Sequence, residues 1–246
     1  MIRGDTMEIV LEGKIKGKPK LIEGFPGLGL VGTIATEFLI EQLKAKPIGS
    51  ITGSEIPPLV AVHDNKLVKP IGLFYAEKQN LLILHVISGI PGAENKIADL
   101  LVQKIKQWNV SEIISVESVA APLLKKETKE GKGYYYCNNA SCKKKMKALG
   151  LDELKEGIIM GVTGALMLKA KKLPLTCIFA ETHTKLPDSK AAAKIIEVLN
   201  GYLDLKIDVK PLLKSAEEFE HKIKNLIQKA TQASKTKDKK KLSYVG

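Results

Sequence analysis

Arginine is almost missing from this 246-residue chain: of 39 basic residues only Arg3 carries a guanidinium, and the other 38 are lysines. Without that planar fork, bidentate reading of guanine or phosphate has little to work with, so sequence-specific nucleic-acid recognition is disfavoured. Cysteine is scarce and odd in number, with Cys137, Cys142 and Cys177, which excludes a scaffold built on disulfides. Long apolar runs are missing too. The longest stretch free of formal charge, Gln79–Ala93, has 15 residues and includes Gln, Asn, His and Pro, short of the roughly 18–20 apolar residues of a membrane span. The opening segment Met1–Glu8 already holds Arg3, Asp5 and Glu8 with no apolar stretch behind it, so a secretory leader is not expected and the expected location is the cytoplasm.

What is present is a 44% hydrophobic chain with a net charge of +12, the composition of a globular protein. The charge is localised. Leu123–Lys147 contributes +6 and Ser234–Gly246 contributes +4, which leaves +2 on everything else. Two basic appendages on a nearly neutral body point to solvated segments before they point to a nucleic-acid groove. The expected organisation is a core domain over 1–211 with a basic insertion at 123–147, an amphipathic helix over 212–233, and a Lys-rich flexible tail over 234–246.

Apolar runs at Lys20–Phe25, Ile48–Thr52, Leu81–Ile87, Glu112–Val119 and Leu175–Glu181 are too continuous for half-exposed strands and predict buried ones. Between them, helical periodicity predicts Thr33–Leu43 with Ile34, Phe38, Leu39 and Leu43 inward. It also predicts Asn95–Trp108 with Ile97, Leu101, Ile105 and Trp108 inward, and Ser189–Leu199 capped by Asp188 with Ile195, Ile196 and Leu199 inward. Strand and helix in alternation give an α/β fold, a mixed and largely parallel sheet covered on both faces. After Pro211, Leu212, Ala216, Phe219, Ile223, Leu226 and Ala230 follow a heptad seam, which suits either the parent domain or a second subunit. The tail then ends in Leu242-Ser243-Tyr244-Val245-Gly246, an apolar and aromatic tip on a charged tether.

Gly27-Leu28-Gly29-Leu30-Val31-Gly32 has the G-x-G-x-x-G spacing of a dinucleotide turn between a strand and a helix. The acid expected some way beyond such a turn would be Glu55, and Pro26 stiffens the entry. The alternative is that these glycines let helix and strand backbones come close. A parallel sheet would gather Ser54, Glu55, Ser88, Gly89, Glu117, Ser118, Glu181, Thr182 and His183 along its carboxyl edge. There Glu117, Glu181 and His183 could supply acid/base chemistry and Ser88 or Ser118 a nucleophile. Neither G-x-S-x-G nor H-E-x-x-H occurs. His63 and His221 read as surface residues, and His85 reads as a hydrogen-bonded core histidine. Cys137 and Cys142 could close a small disulfide loop, remain free thiols, or ligate zinc, which would need two further ligands. Tyr134-Tyr135-Tyr136 beside lysines suits base stacking or a protein interface.

Three segments resemble the archaeal proteasome assembly chaperone family, whose eukaryotic relatives help to build the proteasome α-ring. They are Gly24-Phe25-Pro26-Gly27-Leu28-Gly29-Leu30-Val31-Gly32, then Gly157-Ile158-Ile159-Met160-Gly161-Val162-Thr163-Gly164, and then Glu181-Thr182 followed by Pro187-Asp188-Ser189-Lys190-Ala191-Ala192-Ala193. The similarity runs over roughly residues 20–215. It implies a phosphorylase/hydrolase-like three-layer α/β fold and a non-enzymatic, ATP-independent protein without a cofactor or metal. It also implies self-association, with a tetramer favoured, and binding to proteasome α-subunits. Members of the family can carry a terminal hydrophobic-Tyr-X motif that enters pockets between α-subunits. Here Tyr244 is third from the end but follows Ser243 rather than an apolar residue, so the candidate partner-binding residues Leu242, Ser243, Tyr244, Val245 and Gly246 depart from that pattern. The rival expectation is a nucleoside- or nucleotide-handling enzyme with Gly27–Gly32 as its phosphate loop.

Overall fold

The computed structural model describes residues 7–56, 58–63, 65–120, 131–182 and 186–214. The heptad segment beyond Lys214, the terminal residues Leu242–Gly246, His183 and His221 lie outside the described residues. Nine strands form one sheet: β1 (Glu8–Leu11), β2 (Lys20–Gly24), β3 (Lys46–Thr52), β6 (Ile71–Ala76), β7 (Leu81–Val86), β8 (Glu112–Ala120), β9 (Gly133–Cys137), β10 (Asp152–Glu153) and β11 (Leu175–Thr182). The pair β4 (Ala61–His63) and β5 (Lys66–Val68) makes a separate antiparallel hairpin. The order in the large sheet is β1-β3-β6-β7-β2-β8-β11-β9-β10. Its centre, β7-β2-β8-β11, is parallel, and both flanks join it antiparallel. Every residue of β7 and of β11 is buried, as expected of largely apolar strands covered on both faces.

The helices are α1 (Val31–Leu43), α2 (Glu94–Gln107), α3 (Ala140–Ala148), α4 (Gly161–Lys169) and α5 (Ser189–Leu203). Contacts pair α1 with α5 and α2 with α4, giving three layers with the sheet in the middle. The α2 stripe is Ile97, Ala98, Leu100, Leu101 and Ile105, and on α5 Ile195, Ile196 and Leu199 are buried. On α1 the expected stripe shifts. Ala35 and Thr36 are buried beside Phe38 and Leu39, whereas Ile34 and Leu43 are only half-buried. The small residues face the sheet because α1 rests closely on it. No helix among the described residues is long and apolar enough to cross a membrane.

The basic stretch 123–147 is more than a solvated insertion. Its second half supplies β9, which pairs with β11, and most of α3, whose buried side is Cys142 and Met146. The lysines of α3 stand on its outer face, and Lys143 pairs with Glu153 at 2.6 Å. Tyr135 is fully buried, so the tyrosine triplet is a strand rather than a stacking platform. Cys137 at the end of β9 and Cys142 in the first turn of α3 are joined as a disulfide, with Cα atoms 6.0 Å apart, and Asn139 caps the helix by accepting from the Cys142 N–H at 2.9 Å. Beside this link Glu112 is buried and accepts from Thr176 Oγ1 and Tyr202 OH, each at 2.5 Å, and pairs with Lys20.

Closing so small a loop removes unfolded-state freedom worth about 2 kcal/mol. The double replacement Cys137→Ser with Cys142→Ser is expected to lower stability by that amount in urea denaturation while leaving the far-ultraviolet circular dichroism unchanged.

Candidate functional site

The glycine-rich turn leaves the end of β2, makes a short 3-10 turn over Leu28–Leu30, and enters α1. Its glycines serve contact. A Cβ on Gly24 would lie 2.3 Å from the Gly32 carbonyl oxygen, and one on Gly32 would lie 2.6 Å from the Val116 carbonyl oxygen. The first turn of α1 therefore sits directly on strands β2 and β8, closer than any side chain permits. Gly29 has φ +66°, in the left-handed region. A Cβ on Gly27 would lie 2.3 Å from Glu117 Oε1, so the space beside this turn, where a bound phosphate would rest, holds a carboxylate.

The other two motifs close around the same point. The Asp188 N–H donates to the Gly29 carbonyl at 2.8 Å. One oxygen of its carboxylate accepts from the Ala191 N–H at 2.9 Å and so caps α5, and the other accepts from Thr182 Oγ1 at 2.7 Å. Thr163, in the first turn of α4, donates to Glu117 Oε2 at 3.4 Å and shares a 2.9 Å hydrogen bond with Ser115 Oγ. Together the three segments border a cleft of about 980 Å³ at the carboxyl edge of the parallel strands. Its wall includes Phe25, Leu28, Leu154, Ile159 and Val162, and its polar groups include Glu117, Ser118, Tyr134 and Glu181.

Two acids stand out on the sheet face beneath α4. Burial raises the Glu117 carboxyl to about 7, against the opposing effect of hydrogen bonds from the Ser118 N–H and Thr163. Glu23 on β2 is fully buried with neither carboxyl oxygen in a well-formed hydrogen bond among the described residues, and burial raises it to about 8 against the opposing effect of the facing Ser115 hydroxyl. Register places Glu23 opposite Ser115, and Ser115 opposite Cys177. The Cys177 thiol is held well above its ordinary range by burial and by both glutamates.

Of the residues expected at this edge, Glu117, Ser118 and Glu181 do line the cleft. Ser118 Oγ, however, donates to the Leu28 carbonyl at 2.6 Å, which ties down the turn rather than poising a nucleophile. Glu55 does not complete a dinucleotide site. It lies in the turn after β3, a strand three positions from β2 in the sheet, about 14 Å at ordinary strand spacing, and it pairs with Lys96 at 2.5 Å. Ser88 donates to the Gly89 carbonyl at 3.3 Å, and neither borders the cleft. His85 is buried, shares a 2.9 Å hydrogen bond with Thr36 Oγ1, and is pushed down to about 4 by burial, the core histidine that its strand position predicts. Sequence reasoning missed Glu23 and Thr163. A charged residue inside an apolar strand, as in Leu21-Ile22-Glu23, was the available signal for the first.

Comparison with known proteins bears on this arrangement. Residues 21–227 match the PAC2 family. The chain belongs to that family. A crystal structure of Pyrococcus furiosus PbaA, described as an archaeal homolog of proteasome-assembly chaperone, superposes with a TM-score of 0.81 at 28% identity, covering 95% of this chain and 97% of that one. Pyrococcus furiosus PbaB, described as an archaeal proteasome activator, shares the fold with a TM-score of 0.77 at 22% identity over 90% of this chain and 99% of that one. An uncharacterized protein of Methanocaldococcus jannaschii is 29% identical, covering 90% of this chain and 91% of its own. The three motifs fall within the PAC2 match, and the α/β sandwich is the fold that these PAC2-like structures share.

Two outcomes follow from the geometry. Gly24→Ala forces backbone apart where a Cβ has no room, and a loss of about 1–3 kcal/mol is expected in thermal or urea unfolding. Glu23 binds its proton more tightly in the folded chain than in the unfolded one, so stability is full below about pH 4.5 and falls as the pH rises towards 8. Between pH 5 and 8 this loss is on the order of 3 kcal/mol. Glu23→Gln is expected to match the parent near pH 5 and exceed it at pH 8, as read from urea midpoints. Equal midpoints at pH 8 would mean that Glu23 ionises freely.

Proposed function

We propose that this chain is a non-enzymatic proteasome assembly chaperone or activator-like protein. In this reading it self-associates, with a tetramer favoured, and binds the proteasome α-ring through its C-terminal tail without ATP. The observation that carries the reading is the PAC2 match over residues 21–227, joined to whole-chain likeness to PbaA at 28% identity. The site geometry supports it from another side. The glycine turn serves helix-on-strand packing, and Glu117 fills the place that a phosphate would take.

The tail has the chemistry of a reaching anchor. Ser234–Gly246 holds five lysines and one aspartate before the tip Leu242-Ser243-Tyr244-Val245-Gly246, an apolar and aromatic end behind a run of charge. A single tip offers little area. Several tips on one oligomer meeting a ring of repeated pockets gain through effective concentration, so self-association and α-ring binding belong to one mechanism.

A second reading, a nucleoside- or nucleotide-handling enzyme, has one observation in its favour: Glu117, raised to about 7 at the edge of a cleft, suits a general acid or base. Saturating nucleotide, at ~100 times its dissociation constant, would then stabilise the fold by ~2.7 kcal/mol, and no shift is expected. For the chaperone reading, deletion of Leu242–Gly246 is expected to weaken binding to purified α-rings by at least about tenfold, or 1.4 kcal/mol, measured by surface plasmon resonance. Unchanged affinity would take the tail out of the mechanism.

A further inference from the structure

The cleft has a character opposite to that of the chain. Among its described lining residues are five carboxylates, Glu117, Asp152, Glu153, Glu156 and Glu181, against one described lysine, Lys155, on a molecule of net charge +12. Glu153 is satisfied by Lys143. Glu117 is different: its hydrogen-bond partners are the neutral Ser118 N–H and the Thr163 hydroxyl, and among the described residues no cation is paired with it. Behind it the Ser115 and Thr163 hydroxyls run towards Glu23, whose ionisation is opposed both by burial and by the charge of Glu117. Of the two acids, Glu117 is therefore the one that gives up its proton first, and a cation placed beside it favours that ionised form. The wall above it is aliphatic and aromatic, and Ile158 and Met160 at the rim are 89% and 78% exposed. A metal ion is a poor match, because among the described residues no three ligating side chains converge. An apolar wall leading to an unbalanced carboxylate is complementary to an organic cation.

We propose that this cleft is a binding site for an aliphatic primary ammonium group, with the charged head on Glu117 and the hydrocarbon chain along Phe25, Leu28, Leu154 and Ile159. Thr163 and Ser118 hold the carboxylate in place. The apolar wall contributes by desolvation, and the neighbouring acids Glu181 and Asp152 favour a cation at the entrance. The ammonium can belong to a free alkylamine or to a lysine side chain of another protein, since both present the same head and stem. The site does not depend on the proteasome reading, and loss of α-ring binding would leave it untouched.

The test uses the full chain and isothermal titration with n-hexylammonium chloride, with hexan-1-ol and sodium hexanoate as controls of equal length. Saturable binding of hexylammonium is expected, with at least about tenfold weaker binding of both controls and a loss of at least about tenfold in Glu117→Gln. A blocked Leu-Lys-Leu peptide separates the sources. Tighter binding than hexylammonium assigns the site to a protein lysine, and equal or weaker binding assigns it to a free amine. Hexanol binding as well as hexylammonium, undiminished binding by Glu117→Gln, or no saturation up to about 10 mM would each overturn the proposal. Should Glu117→Gln fail to fold, Leu154→Trp keeps the acid and fills the cleft, and undiminished binding in that variant overturns the proposal equally.

Discussion

The contact on which the structure depends is the seat of α1 on the parallel strands at Gly24 and Gly32. With a carbonyl oxygen 2.3 Å from where a Gly24 Cβ would stand, helix and strand meet backbone to backbone. The depth of that seat sets the rest. It brings the preceding turn level with the end of β8, so that Ser118 can hold Leu28 and Glu117 can lie against Gly27. It also brings Gly29 within reach of the Asp188 N–H, which couples the turn to the cap of α5. An enzyme fold of this class uses such a glycine turn to admit an anion. Here the same backbone freedom is consumed by packing, and an acid of the protein's own closes the space. Fold and activity are separable on these grounds.

The parallel centre was legible because buried strands carry continuous apolar runs, and β2, β7, β8 and β11 each begin and end within a residue or two of their predicted bounds. What escaped notice did so for identifiable reasons. In α3 the run Lys143-Lys144-Lys145-Met146-Lys147 reads as solvated charge, because only Cys142 and Met146, one turn apart, face inward. Gly161 and Gly164 lower the helical propensity of α4, although tertiary contact with α2 settles it as a helix. The three motifs were visible as segments, whereas the bonds between them were not. Asp188 to Gly29 spans more than a hundred and fifty residues, and no local pattern announces a pairing over that distance. The approach of Thr163 to Glu117 is equally silent in sequence, since a threonine in a helix has no local mark of a buried hydroxyl.

Placing two carboxyl groups on one buried sheet face costs stability, and the arrangement distributes that cost unevenly. Glu23 has no well-formed hydrogen bond among the described residues and holds its proton to the higher pH. Glu117, two residues further along the neighbouring β8 than the register partner of Glu23, has a backbone N–H, a hydroxyl and the opening of the cleft. Environments that separate two like groups in this way assign them different roles, one structural and one available to a ligand. A purely structural face would be better served by apolar residues, since a satisfied buried charge is seldom more stabilising than a hydrocarbon of the same shape. Glu117 is therefore better understood as equipment of the cleft than as part of the core, and the packed glycine turn is what holds the cleft open at its edge.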